Sequence, residues 1–294
     1  MVINMERRFH TVGIAGLGLI GGSLALALQR LGGITVCGYD LDGDTLEAAK
    51  RAGAIVRANE GLEECDLVVV ALYPGAAVHF VGEHIAELRP GTVVADFCGI
   101  KRFPCAVLEP LCRARGLYYL GAHPMAGKEI SGFAAADANL FRGASLILTP
   151  TEETDPAALA AFQELCREVG FGRLVRSTPE GHDRIIAYTS QLAHILSSAY
   201  IQNPLSSDFS GFTGGSFQDL TRVARMNGEM WAELFERNRD MLIEQIDELT
   251  LKLGEYRQAL ENEDSRALWA LMEQGTAIKN RLLAGASDPK WEEV

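Results

Sequence analysis

The 294-residue chain has six cysteines, but no C-x-x-C pair and no Cys/His spacing suited to zinc. Cys98, Cys105 and Cys112 recur every seven residues, which invites a metal. The stronger reading is six isolated, reduced thiols packed as small core residues of a cytoplasmic protein. Positive charge is scarce, with 27 Lys and Arg against 39 Asp and Glu, and the net charge of −12 repels a phosphate backbone. Nucleic acid is therefore not an expected partner, although a local cluster of Arg, Lys or helix N-termini still suits a small anion. Beyond residue 30 no apolar run approaches the length of a bilayer span, and the chain lacks internal repeats and low-complexity segments. With 48% apolar and 22% charged residues it has the composition of a folded protein, expected to bind neither metal nor membrane.

One stretch lacks charge altogether. TVGIAGLGLIGGSLALALQR (11–30) follows Arg7 and Arg8, carries no charge from Thr11 to Gln29, and contains a G-x-x-x-G pattern at Gly18 and Gly22. A secretory signal or membrane anchor has that look, and so does a buried strand, a nucleotide-binding turn and a buried helix. The glycines crowded between 13 and 33 would weaken a membrane helix. Gly16-Leu17-Gly18-Leu19-Ile20-Gly21 fits G-x-G-x-x-G, directly after a β-rich run and before a helical pattern. A second β-rich run, ITVCGYD, ends in Asp40, 19 residues past Gly21. In such a unit the first glycine permits the turn, the second lets backbone approach a pyrophosphate, and the third lets helix and strand pack closely. The helix N-terminus faces the anion, and the carboxylate takes the ribose hydroxyls. Asp40 would repel a 2′-phosphate and Leu41 offers no compensating charge, so NAD is expected rather than NADP.

Strand-like runs at 11–16, 34–40, 54–58, 66–72, 92–97, 117–123, 145–150 and 172–177 alternate with helical segments. Runs as apolar as LVVVAL suit strands covered on both faces, so residues 1–177 are expected to form an α/β, doubly wound, mostly parallel sheet. Beyond Thr178 the pattern is all helical, giving a second domain over 178–294. A Gly-rich loop, FSGFTGGS (209–216), precedes a short helix from Ser216 and a long one from about Gly228. In the long helix Leu242, Ile246, Leu249, Leu253, Tyr256 and Leu260 form a heptad seam, which suits packing within the chain or a homodimer interface.

Ligands of doubly wound sheets bind at the carboxyl ends of the strands. Two such ends carry reactive groups, VVADFCGIK (93–101) and YYLGAHPMAGKE (118–129). His123 is expected to end its strand, with Pro124 stopping it, and to project an imidazole suited to taking a hydroxyl proton. Lys101 suits either an anionic group near the cofactor or a solvated helix start. Arg222 suits a carboxylate clamp or a simple i,i+3 partner of Asp219. Trp231 suits core packing first and a pocket wall second. His182, in GHD, suits a surface or helix N-terminal position and is left out of the catalytic set.

HPMAGKEISGFAAADANLFRGASLILTP (123–150), with GLGLIGGSLA, GHDRIIAYTSQLAH and GFTGGSFQDLTRVA…MWAELFERN, resembles the prephenate dehydrogenases of tyrosine biosynthesis. The match spans most of the chain, in order. The resemblance implies a Rossmann domain, a helical dimerisation domain, and NAD(P)-dependent oxidative decarboxylation of prephenate, or of arogenate. It implies His123 as the group that accepts the proton of the substrate's 4-hydroxyl, Arg222 as a carboxylate binder, His194 as a substrate-site histidine and Glu129 as an active-site acid that modulates access. It implies that Asp219 and Trp231 shape the pocket.

The pattern departs from the family at Gly99, where many members carry a serine that assists at the 4-hydroxyl. Water, Cys98 or His123 alone is then left to do that work. Gln191 stands where histidine is common, and Lys128 where a small residue precedes Glu129. A β-hydroxyacid dehydrogenase would want a lysine between Gly181 and Gln202, and there is none. A non-catalytic NAD-binding relative is the rival from outside the enzymes. The chain ends at Val294, so no appended regulatory domain is expected and any inhibition by tyrosine would act at the active site.

Overall fold

The computed structural model describes residues 8–208 and 211–284. Eight strands form one sheet: β1 (Thr11–Ala15), β2 (Thr35–Tyr39), β3 (Arg57–Ala58), β4 (Leu67–Val70), β5 (Val93–Asp96), β6 (Tyr118–Pro124), β7 (Ser145–Leu148) and β8 (Arg173–Arg176). Their order is β3-β2-β1-β4-β5-β6-β7-β8, and every pairing is parallel except β6 with β7. Helices α1 (Leu19–Leu31), α2 (Gly43–Arg51), α3 (Pro74–His84), α4 (Arg102–Ala114) and α5 (Pro156–Val169) accompany the strands.

The apolar strands are covered on both faces because side chains alternate along a strand. Val12, Ile14, Leu67, Val69, Val93 and Ala95 join one core with Leu24 and Leu28 of α1 and Phe162 of α5. Val68, Val70, Val94, Cys37 and Tyr39 join a second core with Val81 of α3 and Leu108 of α4. The uncharged opening stretch is thus a strand, a turn and a buried helix. A Cβ at Gly22 would lie 2.7 Å from the Phe133 ring, so the G-x-x-x-G spacing serves a loop packed on α1. No helix among the described residues is long and apolar enough to cross a membrane.

Two strands differ from expectation. The run at 54–58 is strand only at Arg57–Ala58, because the Ala54 amide still bonds back to Ala49 of α2 and pairing with β2 starts only where Val56 N–H donates to Val36 O at 2.8 Å. Pro124 does not stop β6, which continues opposite Leu146 of β7, and Met125 N–H then donates to Ser145 O at 2.8 Å.

The second half is helical: α6 (Pro179–Ile186), a π-helical turn (Ala187–Gln191), α7 (Leu192–Ile201), α8 (Gly215–Thr221), α9 (Gly228–Arg237), α10 (Arg239–Glu261) and α11 (Ser265–Leu283). The Gly-rich loop begins with Phe209 and Ser210, which lie outside the described residues. The long helix expected from Gly228 is two helices broken at Asn238, whose backbone leaves the helical region at φ −117°. Asn238 is fully buried there and its amide donates to Asp183 O at 2.9 Å and Gln191 Oε1 at 2.8 Å. In the α10 seam Leu242 is buried, whereas Leu253 and Leu260 are exposed, as are Trp269, Met272 and Leu282 on α11.

Gly21 carries the tightest approach in the α1 turn, since a Cβ there would sit 1.9 Å from Gly16 O. Neither atom is on a flexible side chain, so the clash has to move backbone. Gly21→Ala is expected to lower stability by about 1–3 kcal/mol, measured as a fall in the urea midpoint with the m-value unchanged.

Candidate active site

The β1–α1 turn is shaped as a dinucleotide loop requires. Gly16 has φ +85°, and a Cβ there would lie 2.6 Å from Ala71 O, so neither conformation nor space admits another residue. Leu17 is buried, and its amide donates to Asp40 Oδ2 at 2.8 Å, while Asp42 N–H donates to Oδ1 at 3.0 Å. The Asp40 carboxylate is therefore fixed at the end of β2 beside the turn. A Cβ at Gly18 would meet no protein atom within 4 Å, and no side chain caps the first turn of α1.

A cavity of about 510 Å³ runs from this turn to the helical half. Leu19 and Ile20 line one end, Gly99, His123, Lys128 and Glu129 the strand-end side, and Gln191, His194, Trp231 and Leu234 the helical side. His123 is half-buried, with Nδ1 2.8 Å from Nε2 of His182, and Nδ1 of His182 lies 2.7 Å from Asp183 Oδ1. Asp183 also accepts the amides of Lys101 at 2.6 Å and Arg102 at 2.9 Å, closing the N-terminus of α4. The pattern assigns the tautomers. A carboxylate accepts, so His182 carries its proton on Nδ1 and offers a lone pair at Nε2. His123 must then donate from Nδ1, which leaves its own Nε2 as an acceptor. Burial, the neighbouring His182 and the Lys101 charge all hold the His123 pKa well below the ordinary imidazole value. His123 is thus a neutral imidazole at pH 7, held in a fixed orientation with Nε2 as an acceptor.

His182 is buried, and its pKa is also lowered by burial, against the opposing pull of Asp183. The sequence offered one signal for it, an aspartate immediately after the histidine. GHD opens a helix, however, and nothing local shows that the pair turns inward beneath His123.

His194 stacks on Trp231 with ring centroids 3.9 Å apart, and its Nδ1 donates to Ser190 O at 2.8 Å. Burial lowers its pKa too, with the Ser190 carbonyl opposing. Arg222 is exposed and ion-paired with Glu129, whereas Asp219, on α8, is exposed and absent from the cavity wall. Asp219 faces solvent on α8, so among the described residues it is not part of the cavity wall where the resemblance would have it shape the pocket. Gly99 does line the cavity, and a Cβ there would touch Leu234 at 3.4 Å. Cys98 is turned away, its thiol 3.6 Å from Leu72 O within the core, so it is no substitute for the family serine.

Lys101 corrects both readings given to it. The side chain is fully buried, ion-paired with Asp96 and donating to Ala122 O at 2.6 Å. It meets neither solvent nor the cofactor turn. Burial is the largest single influence and opposes its charge, but the charge and hydrogen bond of Asp96, together with the neighbouring Cys98 and Cys105, leave the pKa raised. Tyr119 OH donates to Asp96 Oδ2 at 2.5 Å, and Cys98 N–H to Oδ1 at 3.0 Å. The pair stiffens the ends of β5 and β6, immediately before His123.

A glycine turn at the end of β1, an acid at the end of β2 and an oriented base over the strand ends together define a nucleotide-dependent oxidoreductase. Residues 24–175 match the family described as "Prephenate dehydrogenase, nucleotide-binding domain", and residues 178–274 match "Prephenate dehydrogenase, dimerization domain". The chain is 30% identical to the prephenate dehydrogenase of Bacillus subtilis, over 90% of this chain and 74% of that one. It superposes with a TM-score of 0.84 on prephenate dehydrogenase from A. aeolicus in complex with hydroxyphenyl propionate and NAD+, at 26% identity over 94% and 98% of the two chains. Synechocystis arogenate dehydrogenase gives a TM-score of 0.77 at 26% identity, covering 92% and 99%. The chain belongs to the prephenate dehydrogenase family.

Lys101→Met would leave Asp96 charged and unpaired in the core. We expect a loss of about 3–5 kcal/mol in urea unfolding. Adding Asp96→Asn should recover part of it, and a double variant no more stable than the single one would show that the loss is not one of charge pairing.

Proposed function

We propose that the protein is an NAD-dependent prephenate dehydrogenase, converting prephenate to 4-hydroxyphenylpyruvate and CO₂. The observation that carries this reading is the acceptor Nε2 of His123, in a cavity between a dinucleotide turn and a helical wall. The turn fits the cofactor: Gly18 leaves the α1 N-terminus open to a pyrophosphate, and Asp40 stands where ribose hydroxyls bind. Beside Asp40 the fully exposed Leu41 provides no cation for a 2′-phosphate, which supports NAD over NADP.

NAD, when bound, supplies the hydride acceptor for the hydrogen on C4 of the substrate. His123 accepts the proton of the 4-hydroxyl at Nε2, while His182 and Asp183 keep the ring from turning. The electrons of the bond to the ring carboxylate enter the ring as CO₂ leaves. The ring becomes aromatic, and His123 returns the proton to the ring oxygen. Arg222, paired with Glu129 at the mouth, is the planar donor suited to a substrate carboxylate. His194 and Trp231 supply a flat wall for the substrate ring.

We extend the reading to the whole chain. A nucleotide-binding part to residue 177 and a helical part from 178 are supported by β8 ending at Arg176 and α6 starting at Pro179. The exposed apolar faces of α10 and α11 support a homodimer. Six buried, unpaired thiols are in keeping with a cytoplasmic setting.

NADH formation from prephenate and from arogenate, each with NAD and NADP, tests the function. Tight NAD binding with no turnover of either compound would instead mark a non-catalytic binding protein. His123→Asn should lower kcat by about 10²–10⁴-fold with NAD affinity retained, and near wild-type turnover would remove His123 as the base. With its pKa lowered, His123 stays neutral below pH 6.5. The plateau of kcat/KM should therefore persist through that value and decline only at lower pH, where the imidazole finally protonates; an acid limb at or above 6.5 would contradict the assignment.

A further inference from the structure

Among the described residues lining the cavity, Lys128 is the only lysine or arginine, and Glu129 the only carboxylate. Both histidines on the wall that face a substrate, His123 and His194, have lowered pKa values and are neutral. Arg222 lies outside the lining, paired with Glu129 at the mouth, and a carboxylate that it takes there is one that prephenate and arogenate share, so it does not tell them apart. Among the described residues Lys128 pairs with Asp137 alone, at 3.4 Å, and both side chains are 42% exposed. Such an exposed, long pair is weak, and the ammonium is free to swing from it. Asp137 needs no lysine to hold its place, since Oδ1 accepts the Asn139 amide at 2.9 Å and the backbone N–H of Asp137 donates to Ser23 Oγ at 2.9 Å.

The two compounds differ in charge at one place. Prephenate carries two carboxylates and a ketone, a net −2. Arogenate carries two carboxylates and an ammonium, a net −1, with its positive group on the side chain. A mobile cation on an otherwise neutral wall attracts the first more strongly and sits poorly beside the ammonium of the second. We propose that Lys128 is a specificity-determining residue that favours the dianionic keto acid over its amino counterpart by pairing with the side-chain carboxylate. This rests on the function proposed above and names the substrate class within it.

The test compares Lys128→Met, Lys128→Arg and Asp137→Asn with wild type, using kcat/KM for prephenate and for arogenate (the latter as a competitive inhibitor if it is not turned over). Lys128→Met should lower kcat/KM for prephenate about tenfold, as expected for a partly exposed charge-assisted hydrogen bond. Arogenate should change less than about twofold on the same scale, and NAD affinity not at all. Lys128→Arg should restore most of the preference. In the wild type the prephenate-to-arogenate ratio should fall with added salt, a readout that needs no substitution and that loop packing would not produce. Equal losses for both compounds, or an Asp137→Asn variant that reproduces the loss, would reduce Lys128 to a loop anchor and overturn the inference. Wild-type protein that yields no NADH from either compound would overturn the function itself, and the inference with it. That outcome is distinct from an unchanged ratio in an active enzyme.

Discussion

The arrangement hangs on the carboxylate of Asp183. It comes from the helical half, closes the N-terminus of α4 in the nucleotide-binding half, and holds His182 in the tautomer that orients His123. One buried acid therefore joins the two halves of the chain and sets the tautomers of His182 and His123. A helix N-terminus is a natural seat for it, since two unsatisfied amides and the helix dipole both favour an anion there. Its backbone carbonyl is tied in turn to Asn238, the residue that breaks the α9–α10 helix. The wall that carries Trp231 and Leu234 is thus braced against the same point.

A second buried charge lies on the other side of His123. Lys101 and Asp96 form a closed pair whose remaining donors and acceptors are taken by Ala122 O, Tyr119 and Cys98. The internal partners of the pair offset part of the cost of burying it, and the Lys101 charge helps keep His123 neutral. Gly99 stands where the resemblance leads to a serine, and the His123 ring is oriented from beneath, by His182 and Asp183. Leu234 flanks Gly99, which makes that side of the cavity apolar.

The fold was largely legible because its signals are local. Eight β-rich runs, the glycine turn and Asp40 each follow from residue type and spacing, and each has its counterpart in the sheet. The places that departed were governed by partners distant in sequence. The helix expected to run on from Gly228 breaks because Asn238 finds Asp183 and Gln191, 55 and 47 residues away. Lys101 has the look of a solvated helix start in the one-dimensional pattern, yet Asp96 and the end of β6 draw it inward. His182 opens a helix and so suits the surface, and only the packing of α6 against α4 and α10 turns it toward His123.

The sequence by itself determined the sheet, the dinucleotide turn and the family, because hydrophobic period, glycine spacing and long ordered motifs are written in neighbouring residues. The tertiary structure alone decided which charges are buried and which polar groups meet. The partner of His123, the burial of Lys101, the exposure of Asp219 and the singular position of Lys128 on the cavity wall all belong to that second class. Each depends on contacts between segments whose separation along the chain carries no local trace.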